Sequence, residues 1–190
     1  MILNAKQILS HCTGPHVMIS PHETEQKRMG SLSYGPGYFG YDIRISGDVF
    51  MPTHTLYPVS PAHEDPTKTG IEHIQYDRQP LDGFVLKPGA LVFASTLEYF
   101  NIPSYLVAMV LDKSTLARLG VAVQNTIVEP GWSGYLTVEI TNHGPLDIHL
   151  RSGMPIAQMV FMQGDALPNK ASYSGRYQNQ PTGTPALPYS

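Results

Sequence analysis

The sequence predicts a mainly β domain of the jelly-roll or related sandwich type, and three observations carry that prediction. Of 190 residues, 17 are glycine and 17 are proline, a density that fits short elements joined by many turns. From Phe84 onward, short apolar runs recur with turn residues between them. Hydrophobic residues make up 42% of the chain, enough for one domain with a real core.

The elements follow in order. Asn4 is placed to cap a short helix through His11, with Ile8 and Leu9 on its apolar side. Residues 13–41 are rich in Gly, Pro, Ser and Tyr and end in Tyr34-Gly35-Pro36-Gly37-Tyr38-Phe39-Gly40. Those glycines lack the spacing of a phosphate-binding or dinucleotide-binding loop. Tyr41-Asp42-Ile43-Arg44-Ile45 alternates as a strand, with Asp42 and Arg44 expected to form an ion pair with each other on its polar side. Residues 52–83 read as a long excursion with room for one hairpin. Its His54, His63 and His73 match no zinc spacing. Strands are expected at 84–86, 90–96, 105–110, 121–123, 135–141, 146–148 and 156–162, with one or two helical turns over 114–119. The last segment, 164–190, is proline-punctuated and poor in aliphatic residues, so it should not fold alone.

Charge and cysteine usage narrow the function. A net charge of −3 provides no general field for nucleic acid or an anionic membrane, so neither is an expected partner. The single cysteine, Cys12, excludes an internal disulfide and any multi-cysteine zinc site. The N-terminus lacks the pattern of a signal peptide, and no apolar run approaches the roughly 18 residues of a spanning helix. A reducing cytoplasm is the expected compartment.

One constellation carries chemistry. Alternation in Tyr135-Leu136-Thr137-Val138-Glu139-Ile140 sets Glu139 on the side of Thr137, facing either a polar site or solvent. Upstream, Ser114 begins a helical turn whose free N–H groups favour an anion. Lys113 adds charge there, and Arg118 falls one turn beyond Ser114 on the same face. A hydroxyl, a guanidinium and a lone strand carboxylate are parts for activating water beside an anionic substrate.

Five ordered blocks resemble the dCTP deaminase family: Lys113-Ser114-Thr115-Leu116-Ala117-Arg118-Leu119-Gly120, Glu129-Pro130-Gly131-Trp132-Ser133-Gly134, Leu136-Thr137-Val138-Glu139-Ile140-Thr141-Asn142, Gly153-Met154-Pro155-Ile156-Ala157-Gln158 and Arg176-Tyr177-Gln178-Asn179-Gln180. The Tyr41-Asp42-Ile43-Arg44 strand and the Leu86-Lys87-Pro88-Gly89 turn are similar too, so the likeness runs from about residue 40 to 184. The resemblance implies the dUTPase-like β fold, a distorted jelly roll also called a β-clip. It further implies a homotrimer with active sites between subunits, a domain over 1–163 and a tail over 164–190 that covers the site.

The implied reaction converts dCTP to dUTP and ammonia in pyrimidine deoxynucleotide metabolism, without zinc. Ser114 and a backbone carbonyl, placed at Thr126, would hold a water that Glu139 deprotonates for attack on C4 of cytosine. Arg118 would orient the carboxylate and stabilise the intermediate. Lys113 and the N-terminal amides of the helix would face the triphosphate, which carries its own Mg2+, Glu129 stands at the position that meets the sugar, and Thr115, Thr137 and Val138 are further substrate-binding positions. From the tail, Arg176 and Gln180 would close over the phosphates, with Tyr173 as a further substrate-binding residue.

Zinc deaminases need a His-x-Glu element and a Pro-Cys-x-x-Cys element, and this chain has neither. It departs from the family pattern in three places. Glu129 stands where an aspartate is usual, the 124–128 loop is about two residues short, and Asn169 occupies the place of a tail tyrosine, with Tyr173 as its stand-in. The alternatives are a bifunctional enzyme forming dUMP, a deaminase for C5-modified dCTP, a plain dUTPase, and a noncatalytic trimeric nucleotide binder.

Overall fold

The structure is a computed structural model, and it describes residues 1–55, 74–124, 126–165 and 172–184. In chain order these form α1 (Ala5–Ser10), β1 (Ile19–Ser20), β2 (Lys27–Met29), β3 (Leu32–Pro36), β4 (Tyr41–Thr55), β5 (Ile74–Pro80), β6 (Val85–Leu86), β7 (Leu91–Asn101), β8 (Leu106–Asp112), α2 (Ser114–Ala117), β9 (Val121–Val123), β10 (Ile127–Val128), β11 (Ser133–Asn142), β12 (Ile148–His149) and β13 (Pro155–Gln163). The mainly β class read from the sequence holds.

Strand β4 turns the corner of the fold. Its first residues, Tyr41 to Arg44, pair antiparallel with β13, whereas from Ile45 onward it pairs with β7 and then β5. The register on β7 shifts between Ser46 and Val49, and Gly47 sits there at φ +81°, a conformation that side chains disfavour. The main strand path is β10-β8-β13-β4-β7-β11-β9, with β6 and β12 forming a separate pair. Inward residues of β4, β7, β11 and β13 close the core: Ile43, Val92, Ile140 and Phe161 are buried, each side chain of this kind contributing about 1.5–3 kcal/mol.

Helix α1 begins as expected. Asn4 Oδ1 accepts from the Gln7 N–H at 3.0 Å and Gln7 Oε1 accepts from the Asn4 N–H at 3.0 Å, a reciprocal cap. Ile8 is buried beneath it.

Several elements differ from expectation. Asp42 and Arg44 do not pair with each other. Asp42 bonds to Lys113 at 2.6 Å, while Arg44 bonds to Glu98 at 2.7 Å and to Glu23 at 3.1 Å. The polar side of β4 is covered, with both side chains largely out of solvent, and each charge takes a partner from another segment. Strand β7 continues past Thr96 to Asn101, and β10, absent from the sequence reading, pairs with β8. The 13–41 segment supplies three short strands, and β4 with β5 makes the hairpin of the excursion. Residues 56–73 of it lie outside the described residues, and so do His63, His73 and Asn169.

Candidate active site

Strand β11 sets the site through its alternation. Val138 and Ile140 are buried on one side, while Thr137 and Glu139 are half-buried on the other. Glu139 lies opposite Phe93 of β7, and its carbonyl accepts from the Gln124 N–H at 3.0 Å. Thr137 and Glu139 open into a cavity of about 260 Å³. Phe93, Trp132 and Leu136 give it apolar walls, and Thr126 and Glu129 stand at the β10 side.

Burial pushes the Glu139 carboxyl above its ordinary range, with a smaller opposing pull from its own backbone N–H. Among the described residues no cation forms an ion pair with it. A carboxylate raised by desolvation beside a cavity is equipped to take and return a proton.

The tail supplies the other wall. Tyr173, Tyr177, Gln180 and Thr184 all line the cavity. The Gln180 carbonyl accepts from the Tyr135 N–H at 2.9 Å, and Gln180 Nε2 donates to Thr137 Oγ1 at 2.7 Å. Trp132 Nε1 donates to the Tyr177 carbonyl at 2.7 Å, and the Ser133 N–H to Gln178 Oε1 at 3.0 Å. Two glycines make this docking close. A Cβ on Gly131 would lie 2.2 Å from Ser172 Cβ, and one on Gly134 would lie 2.7 Å from the Gln180 backbone nitrogen. The Glu129 to Gly134 block is therefore a landing surface for the tail.

The turn bearing Ser114 and Arg118 has a different character. Both side chains are exposed, and Thr115 is half-buried. Arg118 caps the C-terminal end of α2, where its Nη1 donates to the Ser114 carbonyl at 3.2 Å. Lys113 is the N-cap residue but makes no side-chain cap bond. Instead it is buried, with Nζ donating to Asp42 Oδ2 at 2.6 Å and to Ser33 Oγ at 3.1 Å.

The sequence-derived residues thus divide. Glu139, Thr126, Glu129, Thr137, Tyr173 and Gln180 converge on the cavity, whereas Lys113, Ser114, Thr115 and Arg118 do not line it. Val138 is in the core at 1% exposure, so its side chain points away from the cavity. Arg176 is exposed, its guanidinium 5.5 Å from the Tyr177 ring centre. The Thr126 carbonyl accepts from the Val110 N–H at 3.1 Å, which leaves its second lone pair for a water. Phe93, Trp132 and Tyr177 are among the cavity residues that the reading missed. The chain's only tryptophan and the tyrosine beside Arg176 lay within motifs already in view, whereas Phe93 needed the strand pairing.

The family model described as dCTP deaminase-like matches residues 2–164. The chain belongs to the dCTP deaminase-like family. Among its relatives in this family, the dCTP deaminase of Herpetosiphon aurantiacus is 35% identical over 183 residues, covering 95% of this chain and 96% of that protein. The dCTP deaminase of Roseiflexus castenholzii is 38% identical over 166 residues, covering 86% of each. A crystal structure of 2′-deoxycytidine 5′-triphosphate deaminase from Agrobacterium tumefaciens shares the fold, with a TM-score of 0.60 at 19% identity over 86% of this chain and 48% of that one. The chain spans about half the length of that solved relative.

Proposed function

We propose that this protein deaminates dCTP to dUTP and ammonia, with Glu139 as the proton-transferring group. The observation that carries the reading is a half-buried carboxylate, raised by desolvation, opening into a mostly apolar cavity roofed by the tail. A pyrimidine ring suits walls of Phe93, Trp132 and Leu136. At about 260 Å³ the cavity is smaller than the roughly 300–1,000 Å³ of sites that enclose whole small ligands. The triphosphate, entering as its Mg2+ complex, would therefore lie outside it.

The chemistry needs no protein-bound metal. Glu139 takes a proton from water as its oxygen bonds to C4, then delivers that proton to N3. Loss of the second water proton to the departing amino group breaks the C4–N bond and releases ammonia. Ser114 would hold the water, and Arg118 would face the charge that develops in the tetrahedral intermediate. Since this chain places both on a surface turn that does not line its own cavity, they would act in the cavity of a neighbouring subunit of a homotrimer. The segment from 164 onward would serve as the lid, with Arg176 and Gln180 toward the nucleotide. Thr115 and the α2 amides would meet the phosphates.

Glu129 puts a second carboxylate at the cavity, which keeps a bifunctional enzyme forming dUMP as the second reading. The cytoplasm remains the proposed compartment, with no nucleic acid partner. Incubation with dCTP, 5-methyl-dCTP, dCMP and dUTP plus Mg2+, followed by product separation, tests the proposal. We expect dUTP and ammonia from dCTP. Accumulation of dUMP without dUTP would favour the bifunctional reading, and bound nucleotide with neither ammonia nor pyrophosphate released would establish a noncatalytic binder.

A further inference from the structure

We propose that Asp42 is a positioning residue for the Ser114 to Arg118 turn, and that Lys113 is its anchor rather than a ligand of the triphosphate. The inference rests on the deaminase reading above, in which that turn supplies Ser114 and Arg118.

The Lys113 ammonium is held in the interior. Lys113 is 8% exposed and Asp42 is 4% exposed. Asp42 Oδ2 accepts from Lys113 Nζ at 2.6 Å and from Ser33 Oγ at 2.8 Å, and Ser33 Oγ accepts from Lys113 Nζ at 3.1 Å. Moving the ammonium out to a phosphate would leave Asp42 buried without its cation, the costly way to break such a pair. A long stem ending in a compact charge suits this reach from the helix start to β4.

The rest of the turn is fixed from the same base. The Lys113 carbonyl accepts from the N–H groups of Leu116 at 2.9 Å and Ala117 at 3.0 Å, so the orientation of residue 113 sets the start of α2. One residue earlier, Asp112 Oδ1 accepts from the Val123 N–H at 2.7 Å. At the far end, the Gly120 carbonyl accepts from the His143 N–H at 2.7 Å, and a Cβ on Gly120 would meet the Gly144 nitrogen at 2.3 Å. Between these fixed points Ser114 and Arg118 remain exposed. The arrangement holds the base of the turn rigid and presents the Ser114 hydroxyl and the Arg118 guanidinium, the latter steadied by its one bond to the Ser114 carbonyl at 3.2 Å, toward substrate.

Asp42→Asn, Lys113→Met and the double variant test this in the full chain, using amide hydrogen exchange across 114–120 together with steady-state ammonia release. In Asp42→Asn we expect exchange of the Leu116 and Ala117 amides to accelerate about tenfold or more. We also expect kcat to fall about tenfold with KM for dCTP little changed, and Lys113→Met to add little in that background. Lys113→Arg should restore protection and kcat. If Asp42→Asn does not fold, Ser33→Ala, which keeps the ion pair, should show the same changes at smaller size. Unchanged exchange in the folded variants would overturn the proposal. So would a Lys113→Met rise in KM of equal size with and without Asp42, the mark of a lost phosphate contact. Failure of the unaltered protein to release ammonia overturns the deaminase reading alone, because the exchange measurement still decides whether Asp42 holds the turn.

Discussion

Two glutamates on neighbouring strands sit in contrasting environments, and under the proposed function one serves the structure and the other the chemistry. Glu98 of β7 is completely buried, yet its carboxylate accepts from Arg44 Nε at 2.7 Å and from the Arg44 N–H at 3.0 Å. Glu139 of β11 is half-buried, faces a cavity and has no ion pair among the described residues. Burial raises both carboxyls. In Glu98 an arginine offsets the desolvation and joins β7 to β4. Among the described residues no ion pair does so for Glu139, which suits its carboxylate to the proton transfer proposed above.

Neutralising each carboxylate should separate the two roles. Glu139→Gln should lower the rate of ammonia release by about 10²–10⁴-fold, the usual contribution of a general acid–base group, while circular dichroism and oligomeric mass remain unchanged. Glu98→Gln should act on the fold instead. Breaking a buried ion pair by removing one partner costs about 3–5 kcal/mol, read as a lower denaturation midpoint. Equal losses of stability in both variants would erase the distinction.

The tail sharpens the same contrast, since it lines the cavity into which Glu139 opens. Deleting residues 165–190 or substituting Gly134→Val should raise KM for dCTP about tenfold or more, because side-chain atoms at Gly134 would occupy the place of the Gln180 backbone. Unchanged saturation kinetics in both would remove the lid from the account.

The smallest expected effect is on stability against pH. The Glu139 carboxyl is raised by burial, so ionising it costs more in the folded than in the unfolded chain. That cost is absent below the ordinary carboxylate range, where both states are protonated, and complete above the raised folded value. Glu139→Gln should therefore increase the thermal midpoint above neutrality, and the gain should vanish in acid. A gain that persists in acid would mean that the stabilisation has another cause.

The strand pattern was legible in the sequence wherever apolar and polar residues alternate. Tyr41 to Ile45 and Tyr135 to Thr141 read correctly because one side of each faces the core. The same logic could not find the partners of Asp42 and Arg44, since alternation shows a polar side but not whether another strand covers it. Strand β10, two residues long, is too short to leave a period. At the site, Glu139, Glu129, Thr137 and Gln180 were visible through motif order, and the cavity joins them. Phe93 was not, because only the register of β7 against β11 puts it opposite Glu139. The burial of Lys113 was hidden for a similar reason: its partner lies 71 residues away in the chain.

The central claim is that Glu139 of one subunit works with Ser114 of another, and mixing inactive variants tests it most directly. Glu139→Gln and Ser114→Ala chains, each purified, are unfolded together in equal amounts, refolded and assayed for ammonia release from dCTP. If sites form between subunits, a Glu139 from one variant meets a Ser114 from the other in about a quarter of the sites. Activity should then recover to roughly that fraction of the value for unaltered protein refolded in parallel. Activity no greater than the mean of the separately refolded variants, in mixtures shown by mass to contain both chains in one oligomer, would contradict the claim.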